Sequence, residues 1–214
     1  MRIYDLSVTL ETYMPGWPTN PLVNIVPTGT VARDGYNVET YYSSTHSGTH
    51  IDAPYHMLED GTTVDNISLT QLVGDGYCIR VQPKDEEIKL NDIEEKWKKD
   101  YDGKIILLNT GWSKKRGYTK EFQFKFPGLS IDTMDFFIQH KPKVIGIDTL
   151  GIEPYSHSDF RVHKGLLSNG IVFIEDLTNL DQLIEGKKYL IVALPIKIHN
   201  ASGAMARVIA IDME

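Results

Sequence analysis

The sequence predicts a single mixed α/β domain, and three observations carry that expectation. Its 214 residues amount to one domain with room for long loops at roughly 150 residues per domain. Apolar residues make up 41% and charged residues 24%, the balance of a folded chain and not of a disordered or collagen-like one. Short β-prone runs interleave with about three helical patterns and no internal repeat, which favours a mixed sheet with several antiparallel pairings over a regular βαβ array.

Strands are expected at Arg2 to Leu10, Val38 to Tyr42, Tyr77 to Val81, Ile105 to Asn109, Val144 to Ile147, Ile171 to Ile174 and Leu190 to Leu194. Most are continuous apolar runs, as suits strands buried on both faces. Asn91 with Glu94 three residues on resembles a capping box and predicts a helix through Trp97 to about Asp100. Ser130 caps a second helix that carries Ile131, Met134, Phe137 and Ile138 at helical spacing until Pro142 stops it. A third, shorter helix holds Arg161 to Leu167. The stretch Lys84 to Lys104 mixes both charge signs and reads as a solvated face. All of this fits within one domain spanning residues 1–214.

The charge balance narrows the partners. Lys and Arg number 22 against 29 Asp and Glu, a net charge of -7, and no basic patch stands against that total, so nucleic acid is not an expected partner. The single cysteine, Cys78, excludes an internal disulfide and a cysteine-rich zinc site; it lies in an apolar run and reads as a buried small hydrophobe. Asp5 stands where a signal peptide would need apolar residues, which predicts a cytoplasmic protein. The longest apolar stretch, Tyr189 to Ile198, is broken by Pro195 and Lys197 and falls short of the ~20 residues a membrane span needs.

Chemistry concentrates in one segment. His46-Ser47-Gly48-Thr49-His50-Ile51-Asp52-Ala53-Pro54-Tyr55-His56 sets three imidazoles and a carboxylate among small residues. Pro54 and Gly48 oppose a helix here. In an extended chain His50 and Asp52 face the same way, and a turn at Gly48 can bring His46 round to them. Nitrogen and oxygen donors without sulfur suit Zn, Mn, Fe or Ni and leave a coordination position open for water. The competing reading of a surface loop with hydrogen-bonding histidines is weakened by the number of histidines at such spacing. A second patch runs from Arg161 to Leu177: Glu175 follows four apolar residues, and a carboxylate at the end of a buried strand needs a partner. A metal would meet that need, with His163 on the preceding helix as a further ligand. Taken singly, His163 also reads as a half-buried histidine and Glu175 as a salt-bridge or capping acid.

With these motifs the chain resembles the cyclase-like metal-dependent hydrolases that include bacterial kynurenine formamidases and isatin hydrolases. The run His46 to His56 carries the resemblance most specifically, and it extends to Pro15-Gly16-Trp17-Pro18, Gly146-Ile147-Asp148-Thr149, the His163 and Glu175 pair, and Pro195-Ile-Lys-Ile. The resemblance implies a swivelling β/β/α fold with a mixed central sheet or barrel, and a homodimer or higher homo-oligomer. It implies two divalent ions per subunit, Zn or Mn: one held by His46, His50 and Asp52, the other by Asp52, His163 and Glu175, with His56 as acid/base beside them. A small amide, an aryl formamide such as N-formylkynurenine or a cyclic amide, is the substrate it implies. The chain departs from the formamidase pattern in Asp176-Leu177-Thr178-Asn179-Leu180, after Glu175, and in Gly16-Trp17-Pro18-Thr19-Asn20-Pro21; these differences bear on substrate more than on metal.

Such a site works because an ion lowers the pKa of water from 15.7 toward roughly 7, making hydroxide available at neutral pH. Trp17, Tyr41, Tyr42 and Tyr55 are candidate pocket aromatics, with rim or core packing as their ordinary reading. Asp148 reads as an acid supporting the site or capping a helix, and His140 and His157 as a helix-end and a loop residue. Two other functions compete. A non-haem Fe(II) oxygenase would take His50, Asp52 and a distant His199, with Arg207 holding a 2-oxo acid, but leaves His46, His56 and Glu175 unexplained. A non-catalytic binding module with a structural metal would have no use for His56.

Overall fold

In a computed structural model of the protein, which describes residues 1–213, the strands in chain order are β1 (Arg2–Asp5), β2 (Asn24–Gly29), β3 (Val38–Tyr42), β4 (His50–Asp52), β5 (Val73–Arg80), β6 (Glu87–Ile88), β7 (Ile105–Asn109), β8 (Gly128–Leu129), β9 (Val144–Ile147), β10 (Val172–Glu175), β11 (Lys188–Pro195) and β12 (Gly203–Asp212). Eight of them form one sheet in the order β1-β12-β11-β5-β7-β9-β10-β4, and a further pairing of β4 with β12 closes seven strands into a mixed barrel with β1 on its outside edge. The pairs β5–β7, β7–β9 and β9–β10 are parallel and the remaining pairs of this sheet antiparallel. The expected mixed α/β architecture with a central barrel is the one observed.

Alternation along each strand separates two cores. Ile51, Cys78, Leu107, Ile174, Ala204 and Val208 fill the barrel interior. Ile79, Ile106, Leu108, Ile145 and Phe173 point outward against the helices Ile131–His140 and Arg161–Ser168. Strand β7 is buried along its whole length, as its unbroken apolar run predicts. Ser130 caps the first of those helices, its hydroxyl accepting from the Thr133 N–H at 3.3 Å, and the chain turns away at Lys141, before Pro142.

Several boundaries differ from the sequence-based expectation. The helix expected to run from Asn91 to Asp100 is Leu90–Glu94 only. Trp97 turns inward there, packing on Tyr101, Phe136, Phe137 and His140 while its indole N–H donates to Asp102 Oδ1 at 2.9 Å. The first strand stops at Asp5 instead of Leu10 because the following residues cross to other partners, Val8 N–H donating to Thr49 Oγ1 at 2.9 Å. Strands β5 and β11 start earlier than expected, at Val73 and Lys188. Strand β3 stands at the expected Val38–Tyr42, whereas its hairpin partner β2, the short strands β6 and β8, and the longest strand, β12, were not foreseen. The whole of β3 is exposed. No helix among the described residues is long and apolar enough to cross a membrane.

Candidate metal centre

Strand β4 is three residues long and lies between β10 and β12 where the barrel closes. Ile51 points into the barrel core, so His50 and Asp52, two apart, face outward together. On β10, Glu175 stands in register opposite His50 and therefore shares that face. The helix Arg161–Ser168 lies over the same side and lowers His163 toward Glu175. His46 arrives from the preceding turn, in which Gly48 has φ 60, a left-handed conformation that glycine adopts without steric cost.

These side chains converge. His50 Nε2 is 3.3 Å from Asp52 Oδ1 and 3.5 Å from Glu175 Oε2, and His163 Nε2 is 3.4 Å from Glu175 Oε1. His46 Nδ1 meets Asp52 Oδ1 at 2.8 Å. Among the described residues two groups could hold a cation, His46 with His50 and Asp52, and Asp52 with His163 and Glu175, each with its donor atoms within 4.8 Å of one another. Asp52 belongs to both. His56 lies against them, its ring 4.1 Å from that of His46 and its Nε2 3.6 Å from Asp52 Oδ2, beyond hydrogen-bond range.

The electrostatics fit a cation. Asp52, Glu175 and His50 are each at most 5% exposed, and buried carboxylates need opposite charge nearby. Burial alone would lower the His50 imidazole, but its hydrogen bond to Asp52 and the charges of Asp52 and Glu175 outweigh this and raise it to about 9. Burial likewise opposes protonation of His163, yet hydrogen bonds to Glu153 and Glu175 and the carboxylate charges lift it to about 10. Burial pushes Asp52 up, and His46 and His50 more than reverse that, holding it well below the usual carboxylate range. His56 behaves differently: burial lowers it. Protons on His50 and His163 thus supply the positive charge that a divalent ion would supply in the same place, and the donors are the nitrogen and oxygen atoms such ions accept.

The supporting contacts orient the donors. His50 Nδ1 is 2.7 Å from the Gly48 carbonyl, so the ring N–H donates there and Nε2 is left facing Asp52 and Glu175. Ile152 N–H donates to Glu175 Oε1 at 2.7 Å. His46 Nε2 pairs with Ser202 Oγ at 2.9 Å. Gly203, opposite Asp52 on β12, leaves room for that ring, since a Cβ there would stand 2.7 Å from His46 Cε1 and 2.6 Å from the Ile51 carbonyl oxygen.

A cavity of about 210 Å³ opens above these residues, walled by Trp17, Leu22, Met57, Leu150, Phe160 and Asp176 among others. Trp17 lines it as expected, whereas Tyr41, Tyr42 and Tyr55 do not: they are 50%, 66% and 43% exposed. Residues required by the oxygenase reading lie elsewhere. His199 faces solvent beside Asp65, and Arg207 pairs with Asp5, so neither reaches His50. Asp148 accepts from the Thr110 N–H and hydroxyl at 2.8 and 2.6 Å, and its carboxylate also faces the Gly111 and Ser113 N–H groups at the start of the short turn Trp112–Lys115.

Sequence reasoning missed Glu153, Ser202, Gly203 and the Arg116–Asp176 pair. Glu153 is a buried acid in contact with His163. A ligand histidine calls for an acceptor behind it, but nothing local marks which acid that is. Asp176 holds φ 60, pairs with Arg116 and forms part of the cavity wall beside Glu175.

The chain is similar in sequence and fold to known proteins over almost its whole length. The family model described as "Putative cyclase" matches residues 4–154. A kynurenine formamidase of Erythrobacter litoralis is 28% identical over 209 residues, covering 97% of this chain and 93% of that protein. A solved structure described as a potential metal-dependent hydrolase with cyclase activity superposes with a TM-score of 0.84 at 30% identity, covering 100% of this chain and 98% of the other. Isatin hydrolase A from Labrenzia aggregata superposes with a TM-score of 0.87 at 25% identity, covering 100% and 94%.

Protonation of His50 and His163 sets the pH dependence of ion binding. Their raised values stabilise the ion-free protein fully below about 6.5, where the unfolded histidines are also protonated, and that contribution is lost as pH rises through about 9 and about 10. An entering ion must displace these protons, so titration calorimetry with Zn²⁺ should show proton release at pH 7 and an affinity that climbs from pH 6.5 toward 9. Affinity independent of pH across that range would contradict the assignment of these histidines as ligands.

Proposed function

This chain belongs to the putative cyclase family, and we propose that it is a metal-dependent hydrolase cleaving the C–N bond of a small amide, an aryl formamide of the N-formylkynurenine kind or a cyclic amide. The observation that carries the reading is the pair of donor groups sharing Asp52 at the floor of a mostly apolar cavity. Two divalent ions per subunit, Zn or Mn, are proposed: His46, His50 and Asp52 for one, Asp52, His163 and Glu175 for the other. Kynurenine formamidase and isatin hydrolase among the relatives support the substrate class.

Ions held by these residues would make a water acidic enough to serve as the nucleophile near neutral pH and would polarise the carbonyl under attack. The protein's own groups do the rest. Trp17, Leu150 and Phe160 give the cavity an apolar wall against which an aromatic body packs. His56, held by no hydrogen bond to Asp52 and lowered by burial, is unprotonated near neutral pH and can accept a proton from the nucleophile. As the C–N bond breaks, the same imidazole returns that proton to the departing nitrogen, without which an amide nitrogen leaves poorly. Atoms balance as one water added across the bond, giving a carboxylic acid and an amine.

His56→Ala is expected to keep its metal content while losing about 100-fold or more in rate, measured by elemental analysis and steady-state kinetics on N-formylkynurenine, isatin and simple aryl formamides with Zn and Mn. Loss of metal in the variant would make His56 a ligand. No turnover of any of the three substrates by the wild-type protein would remove the aryl amide assignment.

A homodimer is the proposed assembly. The exposed β2–β3 hairpin supports it, because an isolated two-stranded hairpin is marginal in water while Val26, Val38, Tyr41 and Tyr42 leave apolar surface uncovered along it. Light scattering should return twice the 24.2 kDa of one chain; a monomer mass at micromolar concentration would rule the dimer out.

A further inference from the structure

We infer that Glu153 is the positioning residue of the second ion group, fixing His163 in the tautomer and ring orientation that present Nε2 to Glu175 and Asp52. The inference rests on the ion-binding reading above and adds to it a residue outside both donor groups.

Three observations converge on this carboxylate. First, Glu153 is 1% exposed and lies ten residues before His163. Its Oε1 accepts from the His163 main-chain N–H at 3.1 Å and also meets His163 Nδ1, while Oε2 accepts from the Val162 N–H at 3.3 Å. One oxygen therefore grips both the backbone and the ring of the same residue, which leaves the side chain little freedom about its two torsions. Second, the helix Arg161–Ser168 starts from Phe160 at φ 53 with no side-chain cap of its own. The first-turn N–H groups that such a helix leaves unpaired are the ones Glu153 takes. Third, the ring is wedged edge-on between Phe160 at 5.6 Å and Phe173 at 5.2 Å, so packing holds the orientation that the hydrogen bond selects. With Nδ1–H donating to Glu153, Nε2 keeps its lone pair on the side of Glu175, 3.4 Å away.

Behind Glu153 the contact continues outward. His157 Nδ1 lies 3.5 Å from Glu153 Oε2, and His157 Nε2 lies 3.3 Å from Glu87 Oε1 at the surface. Glu153 is thus itself held from the far side.

A helix-capping acid and a ligand-positioning acid differ in what charge does for them. Glu153→Gln keeps the size and one acceptor oxygen, enough for the His163 main-chain N–H though not for that of Val162 as well, and removes the negative charge that strengthens His163 as a donor. Competition of the wild-type protein and Glu153→Gln against a chelator for Zn²⁺ should show the second ion bound about 10- to 100-fold more weakly in the variant, with the first unchanged. His163→Ala serves as the reference and should lose the second ion altogether. Retention of both ions by His163→Ala would overturn the ion reading itself. Loss of the ion in His163→Ala with wild-type affinity in Glu153→Gln would overturn the Glu153 inference alone. A measurement that needs no variant covers the case in which the substitution prevents folding: ¹⁵N–¹H imidazole spectra of the Zn²⁺-loaded wild-type protein should show His163 protonated at Nδ1, and protonation at Nε2 would refute the inference.

Discussion

Asp52 places a carboxylate, 1% exposed, in the wall of a closed barrel, and an isolated charge in that position would cost several kcal/mol. Its surroundings answer that cost. His46, His50 and His56 face it from its own segment, and His163 and Glu175 from the far half of the chain. Because Glu175 and Glu153 add two more buried acids, the cluster carries more negative charge than neutral imidazoles can offset. The lift of His50 to about 9 and His163 to about 10 expresses that excess. Two divalent ions would discharge it without protons, turning a local electrostatic liability into a Lewis-acid centre.

Topology brings the two halves together. Strand β4 closes the barrel with only three residues, pairing β10 on one side and β12 on the other. A one-residue slip of that register would turn His50 and Asp52 into the apolar interior and Ile51 outward. The requirement that Ile51 enter the interior core thus also aims His50 and Asp52 outward. The cavity wall is tied to the same frame. Tyr118 donates its hydroxyl to the carbonyls of Tyr13 and Met14 at 2.6 and 3.1 Å, Arg116 donates to Pro15 at 3.0 Å, and Gln123 donates to Gly16 at 3.1 Å. Arg116 also binds Asp176, the neighbour of Glu175, so the loop carrying Trp17 and the strand end carrying Glu175 share one anchor.

How legible this was in the sequence depended on locality. The run His46 to His56 is readable because period-two alternation and one glycine turn suffice to bring its donors together. His163 and Glu175 sit on a helix and a strand that their apolar patterns disclosed, although their convergence with Asp52 required the family resemblance. Strand β12 escaped notice because Ala204, Ala206 and Ala210 are weak strand formers; the crowded barrel interior selects them for size, with Ala204 and Ala210 fully buried. Strand β2 lacks a buried face to give it a pattern, whereas its partner β3, equally exposed, was legible from the β-prone residues Val38 to Tyr42. Glu153, Ser202 and Gly203 act through contacts at sequence separations that no local pattern spans. The three tyrosines expected near the pocket failed for the opposite reason: Tyr41, Tyr42 and Tyr55 are close to the motif in sequence but face solvent.

The shared role of Asp52 is the centre of this account, and anomalous-scattering diffraction from crystals grown with Zn²⁺ or Mn²⁺ tests it most directly. Two peaks per subunit are expected, one against His46, His50 and Asp52, the other against Asp52, His163 and Glu175, with Asp52 contacting both. A single ion, or ions that leave His50 and Asp52 without a metal contact, would contradict it.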